Sequence, residues 1–178
     1  MSILSSDPPF GRGTTLGVSS ANDGKGLVGQ LKTFLDVDTK TGQMLSNRPV
    51  TAIVVRNTSG GALLPGVVVQ INLTNAYAAG AATSTQTAVV DEYLPAGGVA
   101  ANDVFYGIVS GPTAITTAVT LAAGALFKGD AAGEIQAGAG MGYTLAAKAA
   151  SGRQRCIVGS QATSATTGIP TSPASVTV

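Results

Sequence analysis

Three carboxylates, Asp91, Glu92 and Asp103, stand near one another in the sequence. They would supply the acid and base of a glycosidase if folding set two of them at the separation that glycoside hydrolysis needs. Polar caps at strand ends account for the same residues. The chain has no Trp to stack on a sugar, and only four Tyr and four Phe. It also has no His, which removes the commonest general base, metal ligand and triad member together. A Ser or Cys nucleophile would then need a Lys or a carboxylate as its base, and no spacing supports that pairing. Cys156 is the single cysteine, so no intrachain disulfide can form. Arg153 and Arg155 flank it and would lower its pKa if they faced it. In a strand they point to the opposite side, and Cys156 reads as a small buried hydrophobe.

The best metal-like string is "DVDTKTG", residues 36–42, in which Asp36 and Asp38 have the D-x-D spacing that opens a calcium loop. Lys40 then stands where a third oxygen ligand belongs, Gly42 comes one place late, and no Glu closes the loop. A solvated hairpin turn is the better reading. "GRGTTLG" carries glycines at 11, 13 and 17, which is not the G-x-G-x-x-G spacing of a dinucleotide loop, and no strand precedes it. Asn57-Thr58-Ser59 and Asn72-Leu73-Thr74 match glycosylation sequons. No signal-peptide pattern accompanies them at the N-terminus, so secretion by that route is not expected. The sequence thus implies no cofactor and no metal.

The charge balance excludes other partners. Ten Lys and Arg face nine Asp and Glu, which leaves neither a nucleic-acid footprint nor an acidic channel. Only 11% of residues are charged, against about 25% in an ordinary soluble domain. Such a surface is open to edge-to-edge association, and other chains are expected to cover much of it. The mean hydropathy of +0.33 comes from Ala and Val spread along the chain, and no apolar run reaches the length of a membrane span.

The elements that position these residues are short strands. Segments 51–57, 66–73, 87–94, 104–110, 118–121, 125–128, 133–137, 143–149 and 153–159 are mostly rich in Val, Ile, Thr, Tyr or Phe. Most are closed by Gly, Pro, Asn, Asp or Ser. Their length and spacing predict an all-β fold, an antiparallel sandwich or barrel, because parallel pairs would need crossovers for which the connections are too short. Gly129, Asp130 and Gly133 predict one hairpin tip, and Ser151-Gly152 another. Residues 27–35 fit helical spacing through Leu27, Val28, Leu31, Phe34 and Leu35, while Thr33, Val37 and Thr39 favour an extended form. Both readings stay open there.

Three parts follow: an N-terminal arm and hairpin at 1–50, a β domain at 51–160, and an extended tail at 161–178. Residues 1–26 hold Pro8-Pro9 and five glycines and cannot bury enough to fold alone. Ile3, Leu4, Phe10 and Leu16 are its candidate anchors on a partner. In the Thr/Ser/Pro-rich tail, Val176 and Val178 are placed to add a strand to a neighbour's sheet edge.

Three glycine-based stretches carry a family likeness. "VRNTSGGALLPGVVVQINL" (55–73), "LPAGGVAANDVFYGIVSGP" (94–112) and "ALFKGDAAGEIQAG" (125–138) together resemble the head decoration, or capsid cement, proteins of tailed bacteriophages. The resemblance covers about residues 50–160. It implies a non-enzymatic structural protein of the virion, made in the host cytoplasm and seated on the outer capsid surface. It further implies a homotrimer at local three-fold positions, with an extended arm that pairs with the major capsid protein and staples neighbouring capsomers. The long segment 1–50 departs from the small members of such families. The alternatives are a phage fibre, tail or surface-adhesin module, which calls for a ligand pocket or aromatic patch, and a small hydrolase built on Asp91 or Asp103.

Overall fold

The computed structural model describes residues 10–17, 27–72, 77–81, 87–138, 140–148 and 152–159. Ten strands follow one another in these: β1 Leu31–Val37, β2 Met44–Asn57, β3 Val68–Asn72, β4 Tyr77–Ala81, β5 Thr87–Val90, β6 Val104–Thr117, β7 Leu126–Gly129, β8 Ile135–Ala137, β9 Gly142–Thr144 and β10 Gly152–Val158. No helix occurs among the described residues. The fold is all-β, and it is a barrel.

The pairings β2–β4, β4–β3, β3–β5, β5–β6 and β6–β2 close a ring of five strands. A second circuit leaves and rejoins β6 through β10, β9, β7 and β8, the last contact being the single pair Thr117 with Ile135. β6 therefore serves both circuits. Its first half pairs with β2 and β5, and from Gly111 onward it pairs with β10. Gly111 has φ of +99°, and a Cβ there would fall 2.2 Å from the Pro49 carbonyl oxygen. Only glycine allows that conformation at that distance, so β6 bends into the second circuit without ending. "SGP" at 110–112 reads in sequence as a strand terminator, and the structure makes it the junction.

Other differences from the sequence reading have physical causes. β1 is a strand, which settles residues 31–37 as extended. β2 begins at Met44 and crosses residue 50, so no element boundary lies there. Pro49 is tolerated inside it because β2 pairs with β6 only from Thr51, leaving the position of the missing N–H free of a ladder bond. β4 has the Ala- and Gly-rich sequence "YAAGA" and carries no strand signal of its own. Segment 118–121 is not a strand; Leu121 makes one isolated bridge to Lys148. Two parallel contacts occur, β2 with β4 and β6 with β8. The crossover they need is supplied by β3 in one case and β7 in the other, so no helix is required.

The central strands are apolar on both faces. Val50, Ala52 and Val54 of β2 join Val104, Tyr106 and Ile108 of β6 in one buried cluster, which continues to Ile115, Phe127, Ile135, Cys156 and Val158. Ile53 and Val55 join Phe105, Val69, Ile71, Ala88 and Val90 in a second. Each fully buried Val or Ile of this kind contributes about 1.5–3 kcal/mol. Gly107 fits between the strands because a Cβ would lie 2.9 Å from the Ala88 Cβ and 3.1 Å from a Val55 methyl.

Residues 10–17 lie on this framework. The Phe10 ring stacks on Tyr106 with centroids 4.4 Å apart, and the Tyr106 hydroxyl donates to the Phe10 carbonyl at 2.9 Å. Leu16 exchanges two backbone hydrogen bonds with Val104, at 2.8 and 3.1 Å. Phe10 and Leu16, expected as anchors on a partner, are both partly buried against this chain's own core. Ile3, Leu4, Val176 and Val178 lie outside the described residues, as do the Ser151 tip and the tail 161–178.

Candidate functional site

Two of the three carboxylates considered for catalysis, Asp91 and Glu92, are held in ion pairs. Asp91 follows β5 and is 1% exposed in its side chain; its Oδ1 accepts from Arg12 Nε at 3.2 Å and Nη2 at 2.9 Å. Its Oδ2 accepts from the Gly13 N–H at 2.7 Å. Glu92 Oε1 lies 3.5 Å from Arg12 Nη2 and 3.5 Å from Arg155 Nη1. Arg155 then pairs with the fully buried Asp36 of β1, which also accepts from the Ser46 hydroxyl. The order Asp91, Arg12, Glu92, Arg155, Asp36 is thus a ladder of alternating charge. It ties the N-terminal segment, β1, the turn after β5 and β10 to one another.

Local structure explains how each member arrives. Arg12 sits between Gly11 and Gly13; Gly13 has φ of +78° and would place a Cβ 3.1 Å from the Tyr93 carbonyl. Glycine there lets the backbone close on the Asp91 turn, and it brings the Arg12 guanidinium over the Tyr93 ring at 4.6 Å. Arg153 and Arg155 leave β10 on the face away from Cys156, as strand alternation requires. Arg153 donates to the Glu92 carbonyl at 2.9 Å and the Pro65 carbonyl at 3.1 Å. Burial pushes the Glu92 carboxyl above its ordinary range, against the opposing pull of Arg12 and Arg155. Partial burial opposes the charge of Arg155, but Asp36 and Glu92 outweigh it and hold its pKa above the usual value.

The remaining candidates sort by the same geometry. Cys156 is fully buried in the core, and burial, with a smaller contribution from Glu92, pushes its thiol up to about 12. Asp38 caps the β1–β2 turn, its Oδ1 accepting from the Lys40 N–H at 2.8 Å; that bond holds its carboxyl below the ordinary range. Asp36 and Asp38 therefore have separate roles. Asp103 lies in the turn before β6, three residues along from Tyr106, where the Asp91 backbone meets that strand. Asn57 is buried, and its amide donates to the carbonyls of Gly61, Val99 and Ala100 while its oxygen accepts from Ser59. It is a turn scaffold, closed to glycosylation in the folded chain. Among the described residues no group of three or more His, Cys, Asp or Glu is placed to hold a metal ion. No helix long and apolar enough to cross a membrane occurs among them.

Arg12 was missing from the sequence reading. Its partner lies 79 positions away, and the local signal is an arginine between two glycines, which by itself names no partner. The other feature outside that reading is a surface. β2 meets β6 only from Thr51, so the residues from Met44 to Pro49 ladder with β1 alone and form a two-stranded ribbon, which side chains tie back to the barrel: Asp36 pairs with Arg155 of β10, and Arg48 Nη1 donates to the Tyr143 hydroxyl at 3.3 Å. Met44 and Leu45, next to its turn, are 52% and 44% exposed. A ribbon that shows neighbouring apolar side chains fits contact with another chain. Comparison with protein-family models, with curated proteins and with solved structures finds no match to this chain.

Proposed function

We propose that the chain is a capsid decoration, or cement, protein: a non-enzymatic virion component that sits on the outer surface of a tailed-phage head. In this reading it acts as a homotrimer and bridges neighbouring major capsid protein subunits. The observation that carries it is the pair Met44 and Leu45, exposed side by side on the β1–β2 ribbon, on a chain in which only 11% of residues are charged. The three stretches that resemble cement proteins support it. They fall on the β2–β3 corner, the first half of β6 and the β7–β8 hairpin, and Pro65-Gly66 makes the corner as a tight turn, with Gly66 at φ of +78°.

The mechanism is additive. About 1,000 Å² of apolar burial against capsid subunits gives a gross term on the order of 25 kcal/mol, most of which ordering and lost freedom offset. Several such contacts per trimer then act together through effective concentration. The test is co-sedimentation of the purified protein with heads assembled without it, alongside light scattering of the free protein. Saturable binding in multiples of three, weakened about tenfold or more by Met44→Asp with Leu45→Asp, is expected. Absence of saturable binding, or binding indifferent to the ribbon substitutions, would sink the proposal.

A further inference from the structure

β1 is an outer strand: it pairs with β2, and no described strand lies along its other side. The bond from the Val54 N–H to the Gln30 carbonyl, 2.9 Å, decides which of its backbone groups face outward. It makes Leu31 and Ile53 a non-hydrogen-bonded pair. By the antiparallel alternation Lys32 and Phe34 bond to β2, while the N–H and C=O groups of Leu31, Thr33 and Leu35 face away. The side chains on those outward positions are uncharged, and Leu31 and Leu35 are 63% and 65% exposed. An edge this apolar calls for a cover.

We propose that this chain's own residues 174–178 cover it, as an added strand in the same molecule. The length of the intervening chain and its point of departure argue for this occupant. The described chain stops at Gly159, whose Cβ position would lie 2.6 Å from the Val109 carbonyl oxygen and 2.9 Å from Ser110. Ser110 pairs with Thr51, and Thr51 with Thr33 of β1. The exit, which continues β10 beside β6, is therefore three strand spacings from β1 and four, about 19 Å along the sheet, from the edge to be filled. Residues 160–173 span up to about 45 Å when extended, which reaches the edge with slack. A tether this short gives a high effective concentration and favours the same molecule over a second copy.

The chemistry of the segment matches the edge. In "ASVTV", Ala174, Val176 and Val178 alternate with Ser175 and Thr177, which puts three apolar side chains on one face at the spacing of Leu31 and Leu35. No charged residue occurs from 161 to 178, so none would be desolvated. This inference does not rest on the capsid reading, and its test needs no capsid.

The test is residue-resolved amide exchange on the full chain and on a chain stopped after Ser160. Loss of the tail is expected to speed exchange of the Leu31, Thr33 and Leu35 amides by about tenfold or more, with Lys32 and Phe34 unchanged. Val176→Asp with Val178→Asp in the full-length chain is expected to do the same, and Ser164→Asp to leave the pattern alone. Equal exchange at Leu31, Thr33 and Leu35 with and without the tail overturns the proposal. Protection that fades on diluting the full chain also overturns it, because the occupant is then another copy.

Discussion

Changing Arg12 to Met removes the charge from the centre of the ladder while keeping most of the side-chain length. The Arg12 side chain is 3% exposed and that of Asp91 1%, so the pair lies in a poorly solvated site. The change deletes both guanidinium bonds to Asp91 and the 3.5 Å contact with Glu92. It leaves Asp91 with the Gly13 N–H at 2.7 Å and a longer contact from the Tyr93 N–H at 3.4 Å. Stranding one member of a buried pair costs about 3–5 kcal/mol, and loss of the guanidinium over the Tyr93 ring adds about 0.5–1 kcal/mol. Release of residues 10–17 caps the loss, because undocking that segment lets the carboxylates reach water. We therefore expect about 3 kcal/mol, a fall in Tm of roughly 6–12 °C for a chain of this size. Urea unfolding followed by circular dichroism measures it. Asp91→Asn should cost about the same, and the double variant about 3 kcal/mol and not about 6, since the two residues act as a unit. A loss below about 1 kcal/mol for Arg12→Met, or additivity of the two changes within about 0.5 kcal/mol, would refute the ladder as a stabilising lock.

Gly142→Ala sets a Cβ 1.9 Å from the Ile157 carbonyl oxygen, a backbone collision. It should lower stability more than Gly107→Ala, whose neighbours are side-chain methyls and whose cost is about 1–3 kcal/mol; thermal unfolding of the two variants gives the order. Burial raises the Glu92 pKa, so the folded chain favours its protonated form. Ionised Glu92 accordingly weakens folding above its folded pKa. Glu92→Gln should be more stable than the parent near pH 7, and the difference should vanish as the pH falls below the unfolded value; urea midpoints across pH 3–8 test the sign. Cys156 has its thiol pushed up to about 12, which leaves roughly one thiolate in ten thousand at pH 8. Its reaction with a disulfide reagent should be slow in the folded chain and become fast in step with unfolding by urea.

The legible parts of the fold were those where local chemistry decides the outcome. The run from Thr51 to Asn57 and the stretch "VFYGI" carry β-branched and aromatic residues buried on both faces, and any strand reading finds them. Asp130 caps its own hairpin through the N–H groups of Ala132 and Glu134, each at 2.9 Å, which is also local. β4 was invisible because "YAAGA" gains its place only by pairing with β3 and β2. The continuation of β6 through Gly111 and Pro112 was hidden for the opposite reason: two residues that usually end a strand are accommodated here by a close approach to Pro49. The ion pairs were least legible. Arg12 and Asp91, or Asp36 and Arg155, are 79 and 119 positions apart, and nothing at either position points to the other. Cys156 was read correctly because strand alternation alone separates it from its flanking arginines.

The ladder also changes what the low charge means. The chain has nineteen charged residues, and five of them, Arg12, Asp36, Asp91, Glu92 and Arg155, are engaged with one another inside the fold. Four of those five have side chains 8% exposed or less. The outer surface is therefore poorer in charge than the composition states. The ladder links β10 of the second circuit to the turn after β5 in the first, while β6 threads both. Neither circuit can open without breaking a strand the other uses or exposing ion pairs the other shares, so the two should unfold together. A barrel with so little charge outside has few means of keeping other chains away. Four of the seven large apolar side chains exposed among the described residues, Leu31, Leu35, Met44 and Leu45, lie on β1 and the first residues of β2, so the least protected surface is the one built on that hairpin.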